Sequence, residues 1–118
     1  MRRMDVRDKQ RDYARKSLDK ELRLYRMAGK EKSPTQELLR RVRQVLGVPV
    51  AEVAKALKVN RSVIFRLEQS EARGTISMRA MTRVANAMGC KVVYPVIPCD
   101  GKTLEEMADR QRWIKLLG

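Results

Sequence analysis

Apolar residues recur at helical spacing in six stretches of the chain, and one further stretch breaks that period. Across residues 5–28, Ala14, Leu18, Leu22 and Tyr25 fall four, four and three apart, which predicts one helix with a narrow apolar stripe among charged neighbours. Such a stripe suits a coiled-coil seam or a face resting on a neighbour. Gly29 and the polar KEKSP after it predict a stop and a short linker. A second helix is expected from Thr35, its cap, with Leu38, Leu39, Val42, Val45 and Leu46 inward and Gly47 closing it. Pro49 suits the first turn of a third, whose inward positions are Val50, Val53, Ala54 and Leu57. Only Lys58, Val59 and Asn60 separate it from a fourth, RSVIFRLEQ, which Asn60 is placed to cap and which turns Val63, Ile64 and Leu67 inward.

Ser77 is the expected cap of a fifth helix, with Met81, Val84, Ala85 and Met88 inward, Met78 as further gap-filling core and Gly89 as the stop. CKVVYPVIP then changes character. Its β-branched and aromatic residues predict a strand, and Pro95 confines it to an edge or a bulge. No second strand is visible in the sequence, so Val92, Val93, Tyr94 and Val96 are expected to pair with the same strand of a second copy. Asp100-Gly101 reads as a turn. Thr103 caps a closing helix in which Glu106 can complete a capping box, and Leu104, Met107 and Trp113 are its expected packed face, with Trp113 as anchor. The chain is therefore expected to be mainly α. Residues 1–34 form an N-terminal helical arm and linker, 35–89 a helical body, and 90–118 a strand and closing helix for dimerisation or partner binding.

The third and fourth helices carry the most specific pattern. Packed through Ala54, Leu57, Ile64 and Leu67 across a tight turn, they form a helix-turn-helix, with Ala54 small enough to let the two approach. The second helix of such a pair lies in a major groove with its leading residues toward base edges. Arg61 and Arg66 on its outward face are candidates for two-pronged pairing with guanine, and Ser62 for a base or a phosphate. Phe65 lies near that face, to touch a thymine methyl or to cover the edge of the core. Lys55, Asn60, Arg40, Arg73 and Arg79 are candidate backbone contacts, with Arg41 and Arg83 beside them. The plainer reading of all these side chains is a solvated polar surface.

Charge supports a polyanionic partner. There are 27 Lys and Arg against 14 Asp and Glu, net +13, in 118 residues. The excess is uneven: residues 1–34 carry +6, residues 35–98 carry +7 and residues 99–118 are neutral, and the N-terminal helix is expected either to dimerise or to lay its basic face along the DNA backbone. Two cysteines, Cys90 and Cys99, and no histidine exclude a disulfide framework and leave too few soft ligands for zinc. With no histidine, no phosphate-cradling glycine loop and no carboxylate cluster at metal spacing, neither an enzyme nor a cofactor is expected. No run approaches a membrane span, MRRMDVRDKQRDY lacks the apolar core of a secretory signal, and a reducing cytoplasm is the expected location.

From Thr35 to Met88, above all in VAEVAKALKVNRSVIFRLEQ with Ala54, Leu57, Val59, Ile64, Leu67 and Glu68, the chain resembles the phage-repressor (Cro/repressor, or XRE) family of helix-turn-helix proteins. More narrowly, RLEQSEARGTIS, ANAMGCKVVYPVIP and TLEEMADRQ resemble the mobile mystery protein A family over nearly the whole chain. The resemblance implies a lambda-repressor-like bundle and a sequence-specific regulator of double-stranded DNA, working as a homodimer on an inverted repeat and autoregulating a small mobile or toxin–antitoxin-like operon. It implies a structural ion pair between Glu68 and Arg43. It places Lys58 at a turn position usually held by glycine, where a positive φ is needed, and Ser70 where many relatives have glycine.

A neighbouring Fic-domain partner is implied by the same likeness. The inhibitory motif of Fic antitoxins is Ser or Thr, three residues, Glu, then Gly or Asn. Here Ser17…Glu21 and Ser33…Glu37 are both followed by Leu, so direct plugging of a Fic active site is not supported. Two alternatives stand beside the regulator: an antitoxin acting through protein contacts of its terminal helices, and a non-specific nucleic-acid-binding protein.

Overall fold

The computed structural model describes residues 6–29 and 37–117. Among them are six helices, α1 (Val6–Gly29), α2 (Leu38–Leu46), α3 (Val50–Leu57), α4 (Arg61–Ala72), α5 (Met78–Ala87) and α6 (Leu104–Leu117), and no strand. The described residues divide into two units: Glu37 to Tyr94, and α1 together with Pro95 through α6.

In the first unit α2 to α5 surround one small core. Leu39, Val53, Ala54, Ile64, Val84 and Ala85 are buried, and Val50, Leu57, Val59, Leu67, Met81, Met88 and Val92 pack around them. Full burial of each larger aliphatic side chain, Leu39, Val53, Ile64 and Val84, stabilises by about 1.5–3 kcal/mol. The inward positions expected for α3, α4 and α5 are those observed. On α2 the expectation overshoots: Val45 is 83% exposed, and Leu46 and Met78 of α5 are exposed too. The buried stripe of a nine-residue helix is used up by Leu38, Leu39, Val42 and the side chain of Arg43.

The helix ends have local causes. Gly47 takes the left-handed conformation, and the next amide, Val48 N, donates to Arg43 O at 3.0 Å. Lys58 ends α3 the same way at φ 56°, ψ 45°, with Val59 N donating to Ala54 O at 3.0 Å. Asn60 has the extended backbone of a cap, yet its side chain makes no capping bond. Val63 N, a donor it would take, is bonded to its carbonyl oxygen at 3.0 Å instead. Ser77 Oγ does cap α5, accepting from Ala80 N at 3.1 Å. Thr35, the expected cap of α2, lies outside the described residues; the leading amides of α2 are bound by Glu71, as described below.

In the second unit α1 packs on α6 through charge. Asp8, Asp12, Arg15, Asp19, Leu22 and Arg26, four or three residues apart, are its buried and half-buried positions. Of the expected stripe only Leu22 lies there, while Ala14, Leu18 and Tyr25 are exposed. The reason is the start of α6, where unpaired amides favour a carboxylate over an aliphatic neighbour. Asp19 accepts from Leu104 N at 2.7 Å and Glu105 N at 3.2 Å. Arg26 donates to Asp19 O at 2.6 Å, and Arg15 joins Glu105 at 2.9 Å to Asp12 at 3.2 Å. Thr103 and Glu106 add the expected capping box. Trp113, however, is 64% exposed and Met107 is exposed as well, so Trp113 anchors nothing in the described residues.

The expected strand is absent. Cys90 to Pro98 has no regular structure; Val92 packs on the core of the first unit, while Val93, Tyr94 and Val96 are exposed. A strand exists only through a ladder, the described residues supply no second strand, and Pro95 and Pro98 each remove a donor. β-propensity without a partner is not enough.

Candidate nucleic-acid interface

Helix α4 has two unlike faces. Ile64 is fully buried, Val63 and Leu67 are half-buried, and the same side continues through two carboxylates, Glu68 and Glu71, both buried. Opposite lie Arg61, Ser62, Phe65, Arg66 and Gln69, all exposed. The spacing 61, 62, 65, 66, 69 runs along a single helix face, and no carboxylate falls on it. Phe65 is 51% exposed and lies on the outer face rather than over the core.

The acids are held away from that face by specific bonds. Glu68 Oε1 accepts from Arg43 Nε at 2.6 Å and Oε2 from Arg43 Nη2 at 3.4 Å. Arg43 Nη1 also donates to Val48 O at 3.4 Å, which ties α2, its exit turn and α4 together. Glu71 accepts from Leu38 N at 2.8 Å and Leu39 N at 2.5 Å. Two anions on α4 are thus spent on orienting the helix, and its outward charge is purely cationic.

The expected base-reading group, Arg61, Ser62, Phe65 and Arg66, falls on one face. The expected backbone group does not gather as tightly. Lys55 in the last turn of α3 and Asn60 before α4 are exposed and flank the turn that leads to Arg61. Arg73 is exposed at the other end of α4, about 18 Å from Arg61 along the axis at 1.5 Å per residue. Arg79, with Arg83 one turn later, is exposed on α5. Arg40 is exposed but joined to Glu37 at 2.8 Å, so part of its charge is already answered.

Two residues of consequence were missed in the sequence. Gln69 continues the outward spacing of Ser62, Phe65 and Arg66 by one more turn, and its amide can give and take a hydrogen bond at once. Glu71 follows Glu68 by three residues at the inward register of Ile64 and Leu67, where an acid demands a buried donor. Among the described residues no three of the His, Cys, Asp or Glu side chains gather as a metal set, and no helix is long and apolar enough to cross a membrane. No family model, curated protein or solved structure matches the chain.

Proposed function

We propose that this protein is a sequence-specific DNA-binding regulator in which α3 and α4 act as a helix-turn-helix of the lambda-repressor-like kind, with α4 in the major groove. The observation that carries the reading is the single cationic face of Arg61, Ser62, Phe65, Arg66 and Gln69, with both acids of α4 bonded inward. Arginine suits the O6 and N7 acceptors of guanine, glutamine the N6 and N7 edge of adenine, and Phe65 a thymine methyl. The rigid pairings behind α4 supply the fixed approach that base reading needs. Lys55 and Asn60 serve as backbone contacts at the turn, and Arg73 and Arg79 farther out.

The regulator works as a homodimer on an inverted repeat, and the resemblance to the mobile mystery protein A family suggests an autoregulated mobile operon in the cytoplasm. Selection of bound fragments from a genomic pool tests it: a site with two-fold symmetry is expected, and Arg61→Ala with Arg66→Ala should lose about 1–3 kcal/mol of discrimination per arginine. Equal affinity for the selected site and its shuffled versions would reject the reading.

A second reading rests on its own observation. The end of α6 leaves Trp113, Ile114, Leu116 and Leu117 exposed together, an apolar surface suited to another protein. An antitoxin that binds a Fic-domain partner would use it. Co-expression with the product of the adjacent gene, with and without Trp113→Ala and Leu117→Ala, separates that role from DNA binding.

A further inference from the structure

The acids and bases of α1 are sorted by the packing of its own unit. Asp8, Asp12 and Asp19 are half-buried or buried; Asp19 accepts from the Leu104 and Glu105 amides at the start of α6, and Asp12 is bonded within α1 to Arg15 and Lys16. Arg15 and Arg26 are drawn in with them. What remains exposed is Arg7, Lys9, Arg11, Lys16, Lys20 and Arg23 against Glu21. Four of these cations, Lys9, Lys16, Lys20 and Arg23, are seven, four and three residues apart, a band about 60° wide and about 21 Å long on an ideal helix. Tyr13, 77% exposed, adjoins the band. Lys16 is paired with Asp12 at 3.1 Å; Lys9, Lys20 and Arg23 make no ion pair with a described residue.

We infer that this band is a second nucleic-acid surface, one that takes the sugar-phosphate backbone of duplex DNA without reading its sequence. An evenly solvated helix would mix signs over its exposed side, whereas here Asp19 is taken up at the start of α6, Asp12 is half-buried beside Arg15 and Lys16, and the outside is left mainly cationic. A second copy of α1 is a poor occupant, because like charges would face each other along the whole band. A regular row of phosphates is the complementary one, with the Tyr13 hydroxyl a further donor. The inference rests on the DNA-binding reading above.

The test uses the full chain with Lys9→Ala, Lys20→Ala and Arg23→Ala combined, substitutions that keep helix propensity, with circular dichroism to check the fold. Binding to a selected duplex and to its shuffled counterpart is measured across a salt series. The triple variant should lower the slope of log affinity against log salt by about 2–3 and weaken both duplexes by roughly 10²-fold at 0.1 M salt, leaving their ratio unchanged. An unchanged slope with the ratio preserved overturns this inference alone. A wild-type chain that binds both duplexes equally overturns the function proposed above, while a slope that still falls in the variant sustains the band. If the slope is unchanged and the variant instead loses binding to poly-L-glutamate, the band belongs to an acidic protein and the inference fails.

Discussion

Glu71, near the end of α4, accepts a hydrogen bond from the backbone amide of Leu39 at 2.5 Å and so closes the first turn of a helix 32 residues earlier in the chain. Its other oxygen takes the Leu38 amide at 2.8 Å. A carboxylate meeting helix amides gains both from the bonds and from the positive end of the helix dipole. Buried as it is, the arrangement leaves no cheap substitute. Glu71→Ala should destabilise by about 1–3 kcal/mol, through two amides left without an acceptor. Glu71→Gln, which keeps one acceptor, should fall between. Urea unfolding of the three chains checks the order, and equal midpoints would deny Glu71 this role.

The Arg43–Glu68 pair is the companion contact between the same two helices. Its ions are almost wholly removed from water, so the pair contributes little net stability while each half is costly alone. Arg43→Ala should cost about 3–5 kcal/mol by stranding the Glu68 carboxylate, whereas Arg43→Met with Glu68→Leu should cost far less. A double-mutant cycle in urea measures the difference. Costs that simply add would mean that the two side chains do not sense each other.

Residues 50–89 show what the sequence makes legible. Val53, Ala54, Ile64, Val84 and Ala85 are each in an amphipathic helix, so periodicity alone separates inside from outside, and the same period isolates Arg61, Ser62 and Arg66. Legibility fails where a partner is remote in sequence. Asp19 and Glu71 sit at inward positions because helix ends 85 and 32 residues away supply amides, and nothing in their neighbourhood announces this. It fails again at Val92–Val96, where β-branched residues lack a ladder, and at Trp113, where apolar character alone does not bring burial.

Asp12 offers a titration. The Lys16 ammonium bonded to it is the largest cause that holds its carboxyl below the ordinary value, with Arg15 adding to the effect. A carboxyl lowered in the folded chain contributes stability above its unfolded value and loses that contribution as pH falls through the folded one. Carbon-detected NMR should therefore place the Asp12 midpoint below that of an unstructured aspartate. In Lys16→Ala the midpoint should rise. A midpoint indifferent to Lys16 would show that the pair is not formed in solution.

Lys58 carries a local strain. A side chain at φ 56° costs on the order of 1 kcal/mol, which glycine avoids, though glycine also frees the unfolded chain. The balance should leave Lys58→Gly more stable by about 0.5 kcal/mol, a rise of a few degrees in melting temperature. Lys58→Val, branched at Cβ, should fall below wild type. A melting point lowered by glycine would contradict the left-handed turn between α3 and α4.

Asp19 poses the sharpest question about the second unit, because charge rather than a buried aliphatic cluster joins α1 to α6 there. Asp19→Ala removes both acceptors at the start of α6 and releases Arg26 from its ion pair. A lost cap of this kind costs about 1 kcal/mol, which corresponds to about fivefold faster amide exchange wherever exchange proceeds through opening of α6. The Leu104 and Glu105 amides should accelerate most, since they lose their acceptor outright, and the Ile64 amide in the other unit should not change. Asp19→Asn, which keeps one acceptor, should give an intermediate rate. Uniform acceleration in both units would mean that Asp19 supports the whole chain, and no acceleration at Leu104 would mean that the cap is not formed.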